Sequence, residues 1–286
     1  MEYYHVDVFS KKIFGGNGLT VVLAEKELVE DLMQEITKEF RQFETIFLVR
    51  TDISDFKGRV FTMEEELPFA GHPIIGATAV IHSKYFKGSE EVKIRISLIH
   101  KIVEVTSIQN EWGYTVTMNQ GSPEYVNKIS KMEYRGILAA LNLGIDNLSD
   151  NLPLEVVSTG LPYLLVPLKS GIENAEIVVI NFEELLAGYG AKFVYVFDEE
   201  KLLCRTWDNL GITEDVATGS AAGPLAAYLV KYGRIQKNTK FEIHQGEFVG
   251  RPSIITAELR EKNQTSNVYI SGDVILFASG SLMKFH

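Results

Sequence analysis

Phe69-Ala70-Gly71-His72-Pro73-Ile74-Ile75-Gly76-Ala77-Thr78-Ala79 decides how this chain is read, because a second stretch resembles it: Ala217-Thr218-Gly219-Ser220-Ala221-Ala222-Gly223-Pro224-Leu225-Ala226-Ala227. Aligning Gly71 with Gly219 sets His72 against Ser220, at an offset of 148 in a chain of 286 residues. Both stretches run from glycine into small and apolar residues, the pattern of a buried helix opening. Half a chain length between two similar openings points to two similar halves. A helix N-terminus carries unsatisfied N–H groups and partial positive charge, so it holds an anion well. Two such ends suit a small acidic substrate.

Working outward, segments 4–9, 19–23, 45–49, 92–96, 102–105, 114–118, 163–167, 193–197 and 268–270 read as short strands, β-branched or apolar. Helical patterns cover 28–40, 74–85, 131–141 and 222–232, with a shorter one at 182–186. In the first, Leu28, Leu32, Ile36 and Phe40 form an i, i+4 stripe. The helices at 74–85 and 222–232 are apolar on nearly every face, so strands are expected to wrap them. Pro73 and Pro224 are read as first-turn prolines, where a missing N–H costs nothing. Asn119-Gln120-Gly121-Ser122-Pro123 has loop chemistry and is read as the crossing between halves. Glu64-Glu65-Glu66 reads as a solvated turn.

Composition sets bounds. A content of 45% hydrophobic and 23% charged residues fits a globular protein with a real core. The net charge of −10 argues against nucleic-acid and anionic-membrane partners. No apolar run approaches the roughly 18 residues needed to cross a bilayer, and the start Met1-Glu2-Tyr3-Tyr4-His5 is unlike a secretory signal. A cytoplasmic protein is expected. Cys204 is the one cysteine, which excludes an internal disulfide and a cysteine metal cluster. It reads as a buried strand thiol. His72 and His244 lack metal-ligand spacing, so no metal is expected.

Three residues carry candidate chemistry. Glu44 interrupts the apolar run Phe43-Glu44-Thr45-Ile46-Phe47, where a charged carboxylate is costly to bury, which suits a group that takes a proton and returns it. His72, pinned between Gly71 and Pro73, offers a ring able to donate or accept near neutral pH. Asp215 lies just before the second helix opening, as a cap or as a carboxylate aimed at a ligand. Asn17, in Gly15-Gly16-Asn17-Gly18, is read as a turn or as an amide that reaches a ligand.

Together these motifs resemble the PhzF family of phenazine-biosynthesis-like isomerases, within the diaminopimelate epimerase fold. The likeness runs from Val6-Asp7-Val8-Phe9 and Phe14-Gly15-Gly16-Asn17 through Phe43-Glu44-Thr45, Glu66 to Pro73, and Glu214 to Pro224. It continues to Gln245-Gly246, Gly250-Arg251-Pro252-Ser253 and Ser271-Gly272. The resemblance implies an α+β fold of two pseudo-symmetric halves, each a β-barrel-like sheet around a central helix. Residues 1–118 with 275–286 are expected to form the first half and 119–274 the second, the last strand around 274–283 returning to the first.

It also implies cofactor-independent isomerisation by proton movement on a small carboxylate, as in trans-2,3-dihydro-3-hydroxyanthranilate isomerase, and a homodimer. Glu44 falls on the general acid/base, with His72 and Asp215 as the other catalytic residues. Asn17, Gly71, Gly219 and Ser220 are expected to bind substrate. Val216 and Gly18 stand where proline is common in the family, changing loop stiffness rather than chemistry. Related racemases use two cysteines; the matching positions here hold His72 and Ser220, so a two-thiol racemase is disfavoured. An epimerase without thiols and a non-catalytic metabolite-binding protein are the alternatives.

Overall fold

The computed structural model describes residues 1–283. In chain order the elements are β1 Glu2–Val8, β2 Asn17–Leu23, α1 Glu30–Phe40, β3 Glu44–Arg50, β4 Phe56–Phe61, β5 Glu66–Leu67, α2 Gly71–Tyr85, β6 Glu91–Ser97, β7 Ile102–Gln109 and β8 Tyr114–Gly121. There follow β9 Glu124–Lys128, α3 Tyr134–Ala140, β10 Glu155–Ser158, β11 Pro162–Leu168, α4 Phe182–Gly188, β12 Phe193–Asp198, β13 Leu203–Arg205, α5 Gly219–Lys231, β14 Phe241–Gln245, β15 Ser253–Lys262 and β16 Thr265–Ser281. The chain divides into two compact units, Met1–Asn119 with the segment from Ser271 on, and Gln120–Ile270.

In the first unit α2 is buried from Gly71 through His82. A helix with no polar face needs structure on every side, and the strands supply it. Their order, β1-β2-β3-β4-β6-β7-β8-β16, returns to β1, which pairs antiparallel with β16 from Glu2↔Ser281 to Val8↔Val274. Gly76 makes the fit possible: a Cβ there would lie 2.5 Å from Leu19 Cδ2 and 3.0 Å from Val6 and Val8 Cγ2. The amphipathic α1 packs Met33 and Ile36 against Val22, Phe47 and Phe61. Strand β2 is therefore buried along its whole length, and its near-continuous apolar run follows from cover on both faces.

The second unit repeats the plan. Its strands run β9-β10-β11-β12-β13-β14-β15 and on to the start of β16. Helix α5, buried at ten of its positions from Gly219 to Leu229, packs on β10, β11 and β15. Helices α3 and α4 pack Ile137, Leu138, Phe182 and Leu186 with Val156, Leu164, Val166, Val194 and Val196. The alternate residue Phe197 meets Tyr228 of α5 instead, as the period of two along a strand requires. The kinship of the units is plain in their crossovers. The parallel pairs β2–β3 and β4–β6 are joined by α1 and α2, and the parallel pairs β11–β12 and β13–β14 by α4 and α5. This is an α+β fold of two pseudo-symmetric halves, each a curved sheet around a central helix.

Several expectations are corrected. Residues 119–121 are strand, not loop, because Gln120 is buried and tied to Gly219 O at 2.8 Å and to the Thr159 hydroxyl at 2.9 Å. Helix α5 starts at Gly219, so Pro224 sits inside it rather than in its first turn, whereas Pro73 is the third residue of α2. Glu66 is not solvated: it belongs to β5 and pairs with Arg59. The last strand is one 17-residue element from Thr265, absorbing the separate segment at 268–270. Of the segment expected to return to the first half, residues 284–286 lie outside the described residues.

Candidate functional site

Two clusters hold the candidate residues, one in each unit. In the first unit Glu44 opens β3, where its Cα partner is Leu19 of β2. His72 is the second residue of α2. The structure brings them together: Glu44 Oε2 lies 3.3 Å from His72 Nδ1, with side chains only 14% and 8% exposed. Burial pushes the His72 imidazole down to about 3, so the ring is neutral across ordinary pH rather than titrating near 7. Its Nε2 is buried with no hydrogen-bond partner among the described residues.

Helix α2 begins without a side-chain cap and without an acidic residue in its first turn. Gly71 and His72 therefore present N–H groups and the positive end of the helix at the place where Glu44 approaches. Asn17 is fully buried at the start of β2. Gly16 before it takes φ +65°, and a Cβ there would lie 2.3 Å from Val8 O, so the loop into Asn17 requires glycine. Buried Asp7 accepts the Phe14 N–H at 2.6 Å and holds the same loop.

In the second unit Asp215, Thr218, Gly219 and Ser220 lie together at the opening of α5. The Thr218 hydroxyl donates to Asp215 Oδ2, and the Asp215 N–H donates to Thr206 O at 3.0 Å. Ser220 Oγ is 2.7 Å from the Tyr163 hydroxyl. Like α2, α5 has neither a side-chain cap nor an acidic residue in its first turn. The turn before it is clamped by Arg205, whose guanidinium makes a two-pronged pair with Glu214 at 3.0 and 2.6 Å. Arg205 also donates to the carbonyls of Ile172, Glu173 and Ala175 and lies over the rings of Trp207 and Phe248.

Sequence reasoning missed Tyr163, Arg205 and the role of Gln245. The signal in the sequence is the pair Gln245-Gly246, which the resemblance includes without giving it a task. Cys204 is fully buried in β13, and burial pushes its thiol well above the ordinary range, which makes it no nucleophile. No group of three or more His, Cys, Asp and Glu side chains among the described residues has the arrangement of a metal site. No described helix is long and apolar enough to cross a membrane.

Comparison with known proteins gives the chain as a whole its family context. The family model described as phenazine biosynthesis-like protein, PhzC-PhzF, matches residues 6–280. A solved structure from Pseudomonas aeruginosa, PA4716, described as a predicted epimerase, is 41% identical, covers 99% of each chain and superposes with a TM-score of 0.92. The uncharacterized isomerase YddE of Salmonella typhimurium is 32% identical over 96% of each chain. The trans-2,3-dihydro-3-hydroxyanthranilate isomerase of Pseudomonas aeruginosa is 30% identical over 98% of each chain.

Proposed function

This chain belongs to the phenazine biosynthesis-like family, PhzC-PhzF, and we propose that it is a cofactor-independent isomerase that moves a proton on a small carboxylate-bearing metabolite, with Glu44 as general acid/base. That it is an isomerase follows from its family and from relatives of that name along nearly the whole chain. The observation that carries the finer reading is the largely buried Glu44 carboxylate beside a neutral, buried His72 at the uncapped start of α2.

In this reading Glu44 removes a proton from a carbon of the substrate. The electron pair shifts into the conjugated system and the double bond moves. The same carboxyl returns the proton at another carbon, so the product has the mass of the substrate. The negative charge that develops is met by the N–H groups of Gly71 and His72. His72 Nε2 supplies the substrate with a hydrogen-bonding position that has no protein partner among the described residues. An unmet buried polar atom of this kind costs about 1–3 kcal/mol, which a bound ligand relieves. The family resemblance adds Asp215 as a proposed catalytic residue and Asn17, Gly71, Gly219 and Ser220 as proposed substrate-binding residues. The family also suggests a homodimer, and light scattering is expected to give the mass of two chains; a one-chain mass overturns that assignment.

The test is a screen of small cyclic and amino carboxylates, trans-2,3-dihydro-3-hydroxyanthranilate among them, in deuterium oxide by NMR. Wild type is run beside Glu44→Gln. Removing a general acid/base lowers turnover by about 100-fold or more, so deuterium uptake is expected with wild type and not with folded Glu44→Gln. Equal uptake by both removes Glu44 from its role. Ligand binding with neither exchange nor formation of a new compound by either protein overturns the enzyme reading. The likeness to a predicted epimerase favours a second reading, a thiol-independent epimerase. Deuterium uptake with inversion at the same carbon selects it, whereas uptake at a new carbon selects the isomerase.

A further inference from the structure

Gln245, the last residue of β14, is fully buried, and every polar atom of its side chain is used. Its Oε1 accepts from the Thr218 N–H at 3.0 Å and from the Tyr195 hydroxyl at 2.9 Å. Its Nε2 donates to the Asp215 carbonyl and to Thr218 Oγ1, both at 2.9 Å. The orientation of this amide has one solution. A backbone N–H only donates and a backbone carbonyl only accepts, so Thr218 N–H fixes Oε1 and Asp215 C=O fixes Nε2. The consequence passes along the chain of bonds. Thr218 Oγ1 receives a hydrogen from Gln245, so its own hydrogen turns to Asp215 Oδ2. Asp215 Oδ2 is thus addressed by a donor whose direction is set from the far side of the network.

The neighbours reinforce this. Gly246 takes φ +84°, and a Cβ there would lie 2.7 Å from Val216 O and 2.3 Å from Arg251 O. A larger residue would push the end of β14 away from the Asp215–Val216 turn. Glu214, next in the chain, is held by Arg205. Tyr195 and Cys204 are buried and keep their protons, Asp215 adding to the effect on Tyr195. Tyr195 therefore stays a hydroxyl donor to Gln245.

We propose that Gln245 is a positioning residue for Asp215: through Thr218 it holds the Asp215 carboxylate as a hydrogen-bond acceptor of fixed orientation. The pair Gln245-Gly246 is explained by this single task. Its catalytic importance rests on the assignment of Asp215 to the site, but the relay itself does not.

The relay is tested on the carboxyl group directly, by ¹³C NMR titration of aspartate-labelled full-length protein. Wild type is compared with Gln245→Met, Thr218→Val and Thr218→Ser. Loss of a donor to a carboxylate favours its protonated form. The Asp215 midpoint is expected to rise by about one pH unit, a tenfold tighter proton, in Gln245→Met and Thr218→Val, and to return in Thr218→Ser. An unmoved midpoint in folded Thr218→Val overturns the proposal, and this variant decides it even where Gln245→Met does not fold. Deuterium exchange on trans-2,3-dihydro-3-hydroxyanthranilate gives the second reading. A misplaced group is expected to lower kcat by about 10- to 100-fold with KM changed less than about threefold. A shifted midpoint with unchanged kcat supports the relay and overturns the catalytic assignment of Asp215, so the two failures are told apart.

Discussion

His72 shows how one environment decides a residue's chemistry. A free imidazole takes up a proton near 6.5, but burial in α2 lowers that to about 3. Below 6.5 the unfolded chain binds a proton at this position and the folded chain does not, so folding is progressively weakened as pH falls toward 3. The expected measurement is the slope of unfolding free energy against pH between 6 and 4. His72→Gln, which removes the titrating group, is expected to flatten that slope by nearly one proton, about 1.4 kcal/mol per pH unit. Parallel slopes for the two proteins refute the neutral assignment. His72 and Glu44 could be picked out in the sequence because each breaks its surroundings, one pinned by glycine and proline, the other set in an apolar run. The tuning of His72 could not, since it comes from strands distant in sequence. Gln245 was opaque for a related reason: its partners are a backbone N–H, a backbone carbonyl and two hydroxyls from three residues in two other segments.

At the scale of elements, the two central helices were readable because small and apolar residues on every face admit few other interpretations. Their first residues, Gly71 and Gly219, are the very pair that the alignment matched. Pro224 was misplaced because the helix extends one turn further toward its N-terminus than the proline signal alone implies. The short strands β9, β10 and β13 and the two-residue β5 escaped notice since their pairing, not their composition, makes them strands. Glycine within these helices yields a prediction that opposes propensity. Alanine is about 1 kcal/mol the better helix former, yet Gly76→Ala would drive a methyl to 2.5 Å from Leu19 Cδ2. Gly223→Ala would drive one to 1.9 Å from Gln120 Oε1. Overpacking costs about 1–3 kcal/mol, so both variants are expected to unfold at lower denaturant concentration than wild type. A stabilised Gly76→Ala protein refutes the packing argument.

For the molecule as a whole, the division into two related units was foreshadowed by the repeated helix opening. The crossovers that make the units alike, a covering helix and then a central helix on parallel strands, emerged only from the register. One feature of this architecture bears on how the protein is made. The first unit is closed by residues 274–281 of β16, which pair with β1 and are synthesised after the whole of 120–270. The second unit is one unbroken segment. On the ribosome, then, the earliest residues to emerge wait longest for their last strand, with the free edge of β1 exposed. Nascent chains arrested with residue 270 outside the exit tunnel are expected to show protease resistance across 120–270 and cleavage within 1–119, and release of the residues from 271 on is expected to remove that cleavage. Equal resistance of both segments before release refutes this order of completion. Codon changes that slow elongation after 120 are expected to lengthen that exposure without touching the finished fold.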